Sequence, residues 1–107
     1  MRYIIIDPYE GVFLGTKSEP ARGGVKMMVL FSKNNYFDIT KAVCWKSIHD
    51  AEEYLTKFIG TGFPEAFIGE VPVDTDYVDV VDLVKAGYGD YSIEMFEALP
   101  MENISIH

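Results

Sequence analysis

Short apolar runs broken by Pro, Gly and Asn, with one stretch of helical spacing between them, set the pattern of this chain. Tyr3 to Ile6 is β-branched and stops at Asp7-Pro8-Tyr9-Glu10-Gly11, after which Val12 to Leu14 resumes. Pro withdraws a backbone donor and Gly accepts positive φ, so the segment reads as an opening β-hairpin. Residues 16–24 are small, polar or structure-breaking and predict a loop. Val25 to Ser32 predicts a strand with a buried centre from Met27 to Phe31, closed by a turn at Lys33-Asn34-Asn35. Tyr36 to Ile39 and Ala42 to Trp45 read as extended pieces, either one bent strand or two short ones.

Ser47 opens the clearest helix, as a cap whose hydroxyl accepts from the first turn. Ile48, Ala51, Leu55, Phe58 and Ile59 fall on one helical face, with Glu52, Glu53 and Lys57 off it and Gly60 and Gly62 at its end. Ala66 to Val73 predicts another strand, with Pro72 marking an edge or an end. Residues 75–86 predict a second helix, capped by Asp74 or Thr75, with Tyr77, Val80, Val81 and Val84 as its apolar stripe. The valines leave a strand as the alternative. Tyr91 to Met95 alternates as a strand does, and Met101 to His107 is a tail that pairs briefly or frays. The order predicts an α+β fold: one domain over residues 1–107, a mainly antiparallel twisted sheet of about five strands with two helices packed on one face.

Charge then divides the chain. Residues 1–57 hold eight of the nine Lys and Arg against seven acids, whereas residues 58–107 hold ten acids and one base, Lys85. The net charge of −8 favours solubility and weighs against nucleic acid and anionic lipid as partners. Nearly half the residues are hydrophobic, with seven Phe and seven Tyr, which is too rich for disorder. A single cysteine, Cys44, excludes an internal disulfide and points to a reducing, cytoplasmic setting. No apolar run approaches the length of a membrane span.

Two surfaces carry candidate chemistry. The acidic series Glu65, Glu70, Asp74, Asp76, Asp79 and Asp82 is uninterrupted by a base. On a helix, Asp76 and Asp79 share a face with Asp82 one step round, opposite the valines. Tyr77 lies among these acids and Tyr88 and Tyr91 follow them, and tyrosine beside carboxylates is a composition of protein-binding surfaces. A solvated helix face with favourable dipole placement and a divalent-cation site are competing readings of these acids. On the recognition reading, Asp76, Asp79, Asp82, Tyr77 and Tyr88 are the candidate partner-binding residues. The alternative is an anion site at Lys17, Arg22, Gly23, Gly24 and Lys26, where backbone N–H groups and cations would hold a nucleotide or phosphorylated metabolite. It lacks the P-loop signature. Cys44 and His49 could form a nucleophile–base pair, but a lone cysteine is more often inert packing. With one Cys and two His no structural zinc set is available, and the Asp spacing is not that of an EF-hand loop. No catalytic residue, metal or cofactor is assigned.

The opener from Tyr3 to Gly15, followed by Ser47-Ile48-His49-Asp50-Ala51-Glu52-Glu53-Tyr54-Leu55, resembles small accessory proteins of tailed bacteriophages. In those a hairpin is often followed by a helix of S-x-x-x-A-E-x-Y-L type. The resemblance implies no catalytic residue. It implies a small protein that binds and modulates a host component. The expectation is a non-enzymatic acidic interaction module, with homodimerisation through a free sheet edge as a further expected contact.

Overall fold

Three consecutive isoleucines organise the molecule. The computed structural model describes residues 1–88, the side chain of Tyr88 excepted. Within them β1 (Arg2–Asp7) is an inner strand of a four-stranded antiparallel sheet. Its neighbours are β2 (Gly11–Ala21) and β5 (Phe67–Val71), and β3 (Gly24–Ser32) lies outside β2. Ile4, Ile5 and Ile6 are fully buried. Because side chains alternate across a strand, a run buried at every position has both faces covered.

Ile4 and Ile6 join Val12, Phe37, Ile39, Val71, Val80 and Val84 on one face. Ile5 joins Phe13 and Ile59 on the other, where Phe31, Trp45, Tyr54 and Phe63 pack against them. The fold is the α+β, mainly antiparallel single domain expected, but its two helices divide between the faces. Helix α2 (Val80–Tyr88) supplies Val80 and Val84 to the first face. Helix α1 (Ile48–Tyr54) and the wide turn after it supply Tyr54, Leu55 and Ile59 to the second. Two helices on one face would leave part of the Ile4–Ile6 run uncovered, so each face of the strand takes one helix. The remaining strands, β4 (Tyr36–Asp38) and β6 (Tyr77–Asp79), form a separate antiparallel ribbon.

The β1–β2 hairpin forms as expected, with Asp7 paired to Gly11. The buried carboxylate of Asp7 accepts from the backbone N–H groups of Tyr9 and Glu10, each at 2.9 Å, which fixes the turn. Residues 16–24 are not a loop. β2 runs on to Ala21, and only Arg22 and Gly23 turn the chain before Gly24 starts β3. Gly23 takes φ +83°, so the glycine pair shapes a hairpin tip rather than an irregular segment. The extra residue Leu14 makes a bulge between Phe13 and Gly15, which bends this long hairpin where it leaves the body.

Tyr36–Asp38 is extended as expected, but Ile39–Lys41 closes into one 3₁₀ turn. Trp45 then pairs with Tyr3, filling the place beside β1 that β2 does not reach. Ser47 caps α1 by accepting from the N–H of Asp50. The helix does not stay regular up to Gly60. Gly60 donates to the carbonyl of Leu55 at 2.7 Å, a bond spanning five residues. That wider turn rotates the residues beyond Leu55, so Ile59 is buried while Phe58, assigned to the core by spacing, is 62% exposed. Arg2 holds the far side by donating to the carbonyls of Pro72, at 3.0 Å, and Thr75. The expected strand at Tyr91 to Met95 and the tail from Met101 to His107 lie outside the described residues.

Gly11 is the position least able to accept a side chain. Its φ is +100°, and a Cβ there would overlap the carbonyl of Ser32 in β3. Gly11→Ala should destabilise the protein by more than the about 1–3 kcal/mol of a residue held in a disfavoured backbone region, read as a lowered denaturant midpoint.

Candidate functional site

The β4–β6 ribbon joins two copies of one tripeptide pattern, Tyr36-Phe37-Asp38 and Tyr77-Val78-Asp79. Antiparallel pairing sets Tyr36 opposite Asp79, Phe37 opposite Val78, and Asp38 opposite Tyr77. Val80 N–H donates to the carbonyl of Asn35 at 2.8 Å and Ile39 N–H to that of Asp76 at 2.9 Å. These bonds lie outside the Tyr–Asp pairs. Both are therefore non-hydrogen-bonded pairs, in which Cα atoms approach to about 4.5 Å and side chains lie closest.

Alternation does the rest. Phe37 is buried and Val78 packs on the same core, so Tyr36, Asp38, Tyr77 and Asp79 all turn to the opposite face. The two tyrosines meet on the diagonal, with centroids 5.1 Å apart and planes within 4° of parallel. Tyr36 is 70% exposed and Tyr77 50% exposed. The outcome is a small exposed aromatic stack flanked by a carboxylate on each side.

Both carboxylates are held from within. Asp38 Oδ1 accepts from Thr40 Oγ1 at 2.7 Å and Thr40 N–H at 3.0 Å. The Thr40 hydroxyl first, then its N–H, keeps the Asp38 pKa below the ordinary aspartate value, against a smaller opposing effect of burial and with help from the Lys41 charge. Asp79 Oδ1 accepts from Val81 N–H at 2.9 Å, and Asn35 Oδ1 accepts from the same group at 3.3 Å. Asp79 thus caps α2, which starts at Val80 and not after Asp74 or Thr75.

This corrects the placement of the acidic candidates. Asp76 and Asp79 do not share a helix face, because Tyr77–Asp79 is a strand and Val78 is wanted by the core. The valine-rich segment takes the extended alternative for its first part and the helix for its second. Asp76 precedes the ribbon and is exposed, and Asp82 is exposed on the first turn of α2. Tyr88 closes α2, and its side chain lies outside the described part. Tyr77 and Asp79 are therefore in one constellation. Tyr36 and Asp38 complete it and were missed. The repeated Tyr–apolar–Asp pattern was the signal that could have found them.

Lys17, Arg22, Gly23, Gly24 and Lys26 fall together on the β2–β3 hairpin, and all are exposed. Lys17 is 3.5 Å from Glu19, so part of its charge is answered locally. The surface is convex, a hairpin end with both faces in solvent, and it offers an anion cations without enclosing walls.

Comparison with protein-family models, curated proteins and solved structures finds no match.

The remaining chemistry is sparse. Cys44 is exposed, and partial desolvation raises its pKa above the ordinary thiol value, with Arg2 opposing weakly. His49 stands on the exposed side of α1, 3.9 Å from Glu53, which also meets Lys57 at 3.1 Å. A groove of about 330 Å³ beside β5 is lined by Ile48, Ile68, Leu83 and Glu70, with one carboxylate among apolar walls. Among the described residues no three His, Cys, Asp or Glu side chains converge as a metal set. No helix among them is long and apolar enough to cross a membrane.

Cys44 should therefore alkylate as a thiol and not as an activated thiolate. The pH midpoint of its reaction with iodoacetamide is expected above that of a free cysteine peptide. A midpoint below it would reveal an activating base. At the cap, Asp79→Ala should cost about 1 kcal/mol and Asp79→Asn much less, since the amide oxygen still accepts from Val81, as read by thermal unfolding.

Proposed function

We propose that this chain is a non-enzymatic acidic interaction module that binds and modulates a protein partner through Tyr36, Asp38, Tyr77 and Asp79. The observation that carries the reading is the exposed tyrosine stack between two positioned carboxylates. Tyrosine gives a partner large, rigid contact area at low entropic cost, and its ring face attracts cations. The carboxylates select positive groups and repel negative ones. A partner presenting arginine or lysine beside apolar surface fits both. Asp76 and Asp82, both exposed, add to the negative field from nearby in the chain.

The resemblance to phage accessory proteins favours a host protein as the partner, met in the cytoplasm. The anion-site alternative has the cations it needs but a convex surface, so the acidic face is the better supported reading.

The test uses fluorescent arginine-rich, lysine-rich and acidic peptides of equal length, followed by anisotropy. Binding is expected for the basic peptides only, weakening as salt rises. Tyr36→Ala with Tyr77→Ala should reduce affinity about tenfold or more, the size of loss expected for a binding hot spot. Equal binding of acidic and basic peptides, or no effect of the double substitution, would overturn the reading.

A further inference from the structure

The chain carries a second exposed surface, opposite in charge to the first. From Pro20 to Met27 the residues of the β2–β3 hairpin are exposed, so this end of it is an arm with both faces in solvent. A two-stranded ribbon standing alone is marginally stable in water. Its register separates the faces. Ser18 pairs with Met27 and Pro20 with Val25, giving an apolar face on which Val25 is 74% and Met27 61% exposed. Lys17 pairs with Met28 and Glu19 with Lys26, giving a charged face. Alternation of apolar and charged residues is the pattern of a ribbon with one side covered.

The arm holds Arg22 and Lys26, and the adjoining Lys17 and Glu19 offset each other, so this end of the hairpin is positively charged overall. The β4–β6 ribbon carries Asp38 and Asp79 and no base. Within one molecule the arm tip and the tyrosine pair are both exposed, so neither covers the other.

We infer that the arm of one copy lies across the Tyr36–Asp79 face of a second copy, which returns its own arm about a two-fold axis. Val25 and Met27 cover the tyrosine rings. Arg22, at the tip, reaches a carboxylate, and Lys26 contributes its charge from the outer side. One arm–face contact is small. Reciprocity doubles it, and a stable pair needs roughly 1,200 Å² or more in total. A two-fold closes the assembly after two copies, where a one-way contact would propagate. The inference rests on the acidic face being a protein-binding surface and names a second copy as one protein that it takes.

Sedimentation equilibrium of the full chain over a wide concentration range tests it. A dimer is expected, with a dissociation constant that rises about tenfold or more between low and high salt. Arg22→Glu combined with Val25→Ser and Met27→Ser alters only exposed residues and should shift the protein to monomer. Asp38→Asn with Asp79→Asn keeps the capping oxygens, removes the charges and should do the same. Circular dichroism verifies that each variant is folded, and the salt dependence of the unaltered chain provides a readout that needs no variant. A monomer at every concentration overturns the inference, as does a dimer indifferent to salt or to both sets of substitutions. A monomer that still binds the basic peptides overturns the arm exchange alone. An unaltered chain that neither dimerises nor binds the basic peptides overturns the acidic-face reading as well.

Discussion

The whole fold depends on the burial of β1 from both sides. Ile4 and Ile6 need one apolar layer and Ile5 another, and neither layer can be dropped without exposing part of the same strand. The fully buried isoleucines each contribute about 1.5–3 kcal/mol by transfer from water, so both helices are held by what a single strand requires. α2 meets this need on one side with Val80 and Val84. On the other side Ile59 arrives only because the helical path widens after Leu55.

The acidic face derives from that core at one remove. Phe37 and Val78 fill the layer above Ile4 and Ile6, and a residue turned inward at the centre of a short strand turns both neighbours outward. Core packing therefore sets which side of the ribbon shows its tyrosines. The aspartates are fixed by separate demands, one by the 3₁₀ turn and one by the start of α2. Each carboxylate serves the backbone with one oxygen and presents its charge to solvent, so local structure and surface chemistry share the same side chains.

The legible parts of the fold were those in which periodicity and turn chemistry agree. The first hairpin could be read because Asp7, Pro8 and Gly11 each do there what their chemistry favours. The cap at Ser47 and the end near Gly60 were equally plain. Other features were hidden because a nonlocal demand overrode the local signal. Ser18, Glu19 and Pro20 look like loop residues, yet they extend β2 because β3 pairs with them. Tyr77 to Asp79 looks like the start of a helix, yet pairing with Tyr36 to Asp38 draws it into a ribbon. Of the acidic site, Tyr77 and Asp79 were visible as types. Their neighbours Tyr36 and Asp38 lie far away in the chain, and only the echo of Tyr–apolar–Asp hinted that they belong together. Phe58 was misplaced because spacing presumes a regular helix, and a single wide turn shifts every later residue.

The position of β1 has a consequence for the order in which the molecule can be made. Its three isoleucines leave the ribosome long before β5 does, and β2 can pair with the end of the strand soon after they emerge. The other edge waits for β5, because Arg2 pairs with Val71 and Ile4 with Gly69. Until then the strand that anchors the core presents an open, apolar edge. Completion is governed by its most distant contact, which is slow by the entropy of closing so long a loop. The nascent chain is thus most exposed to misassociation through the residues that later matter most to its stability.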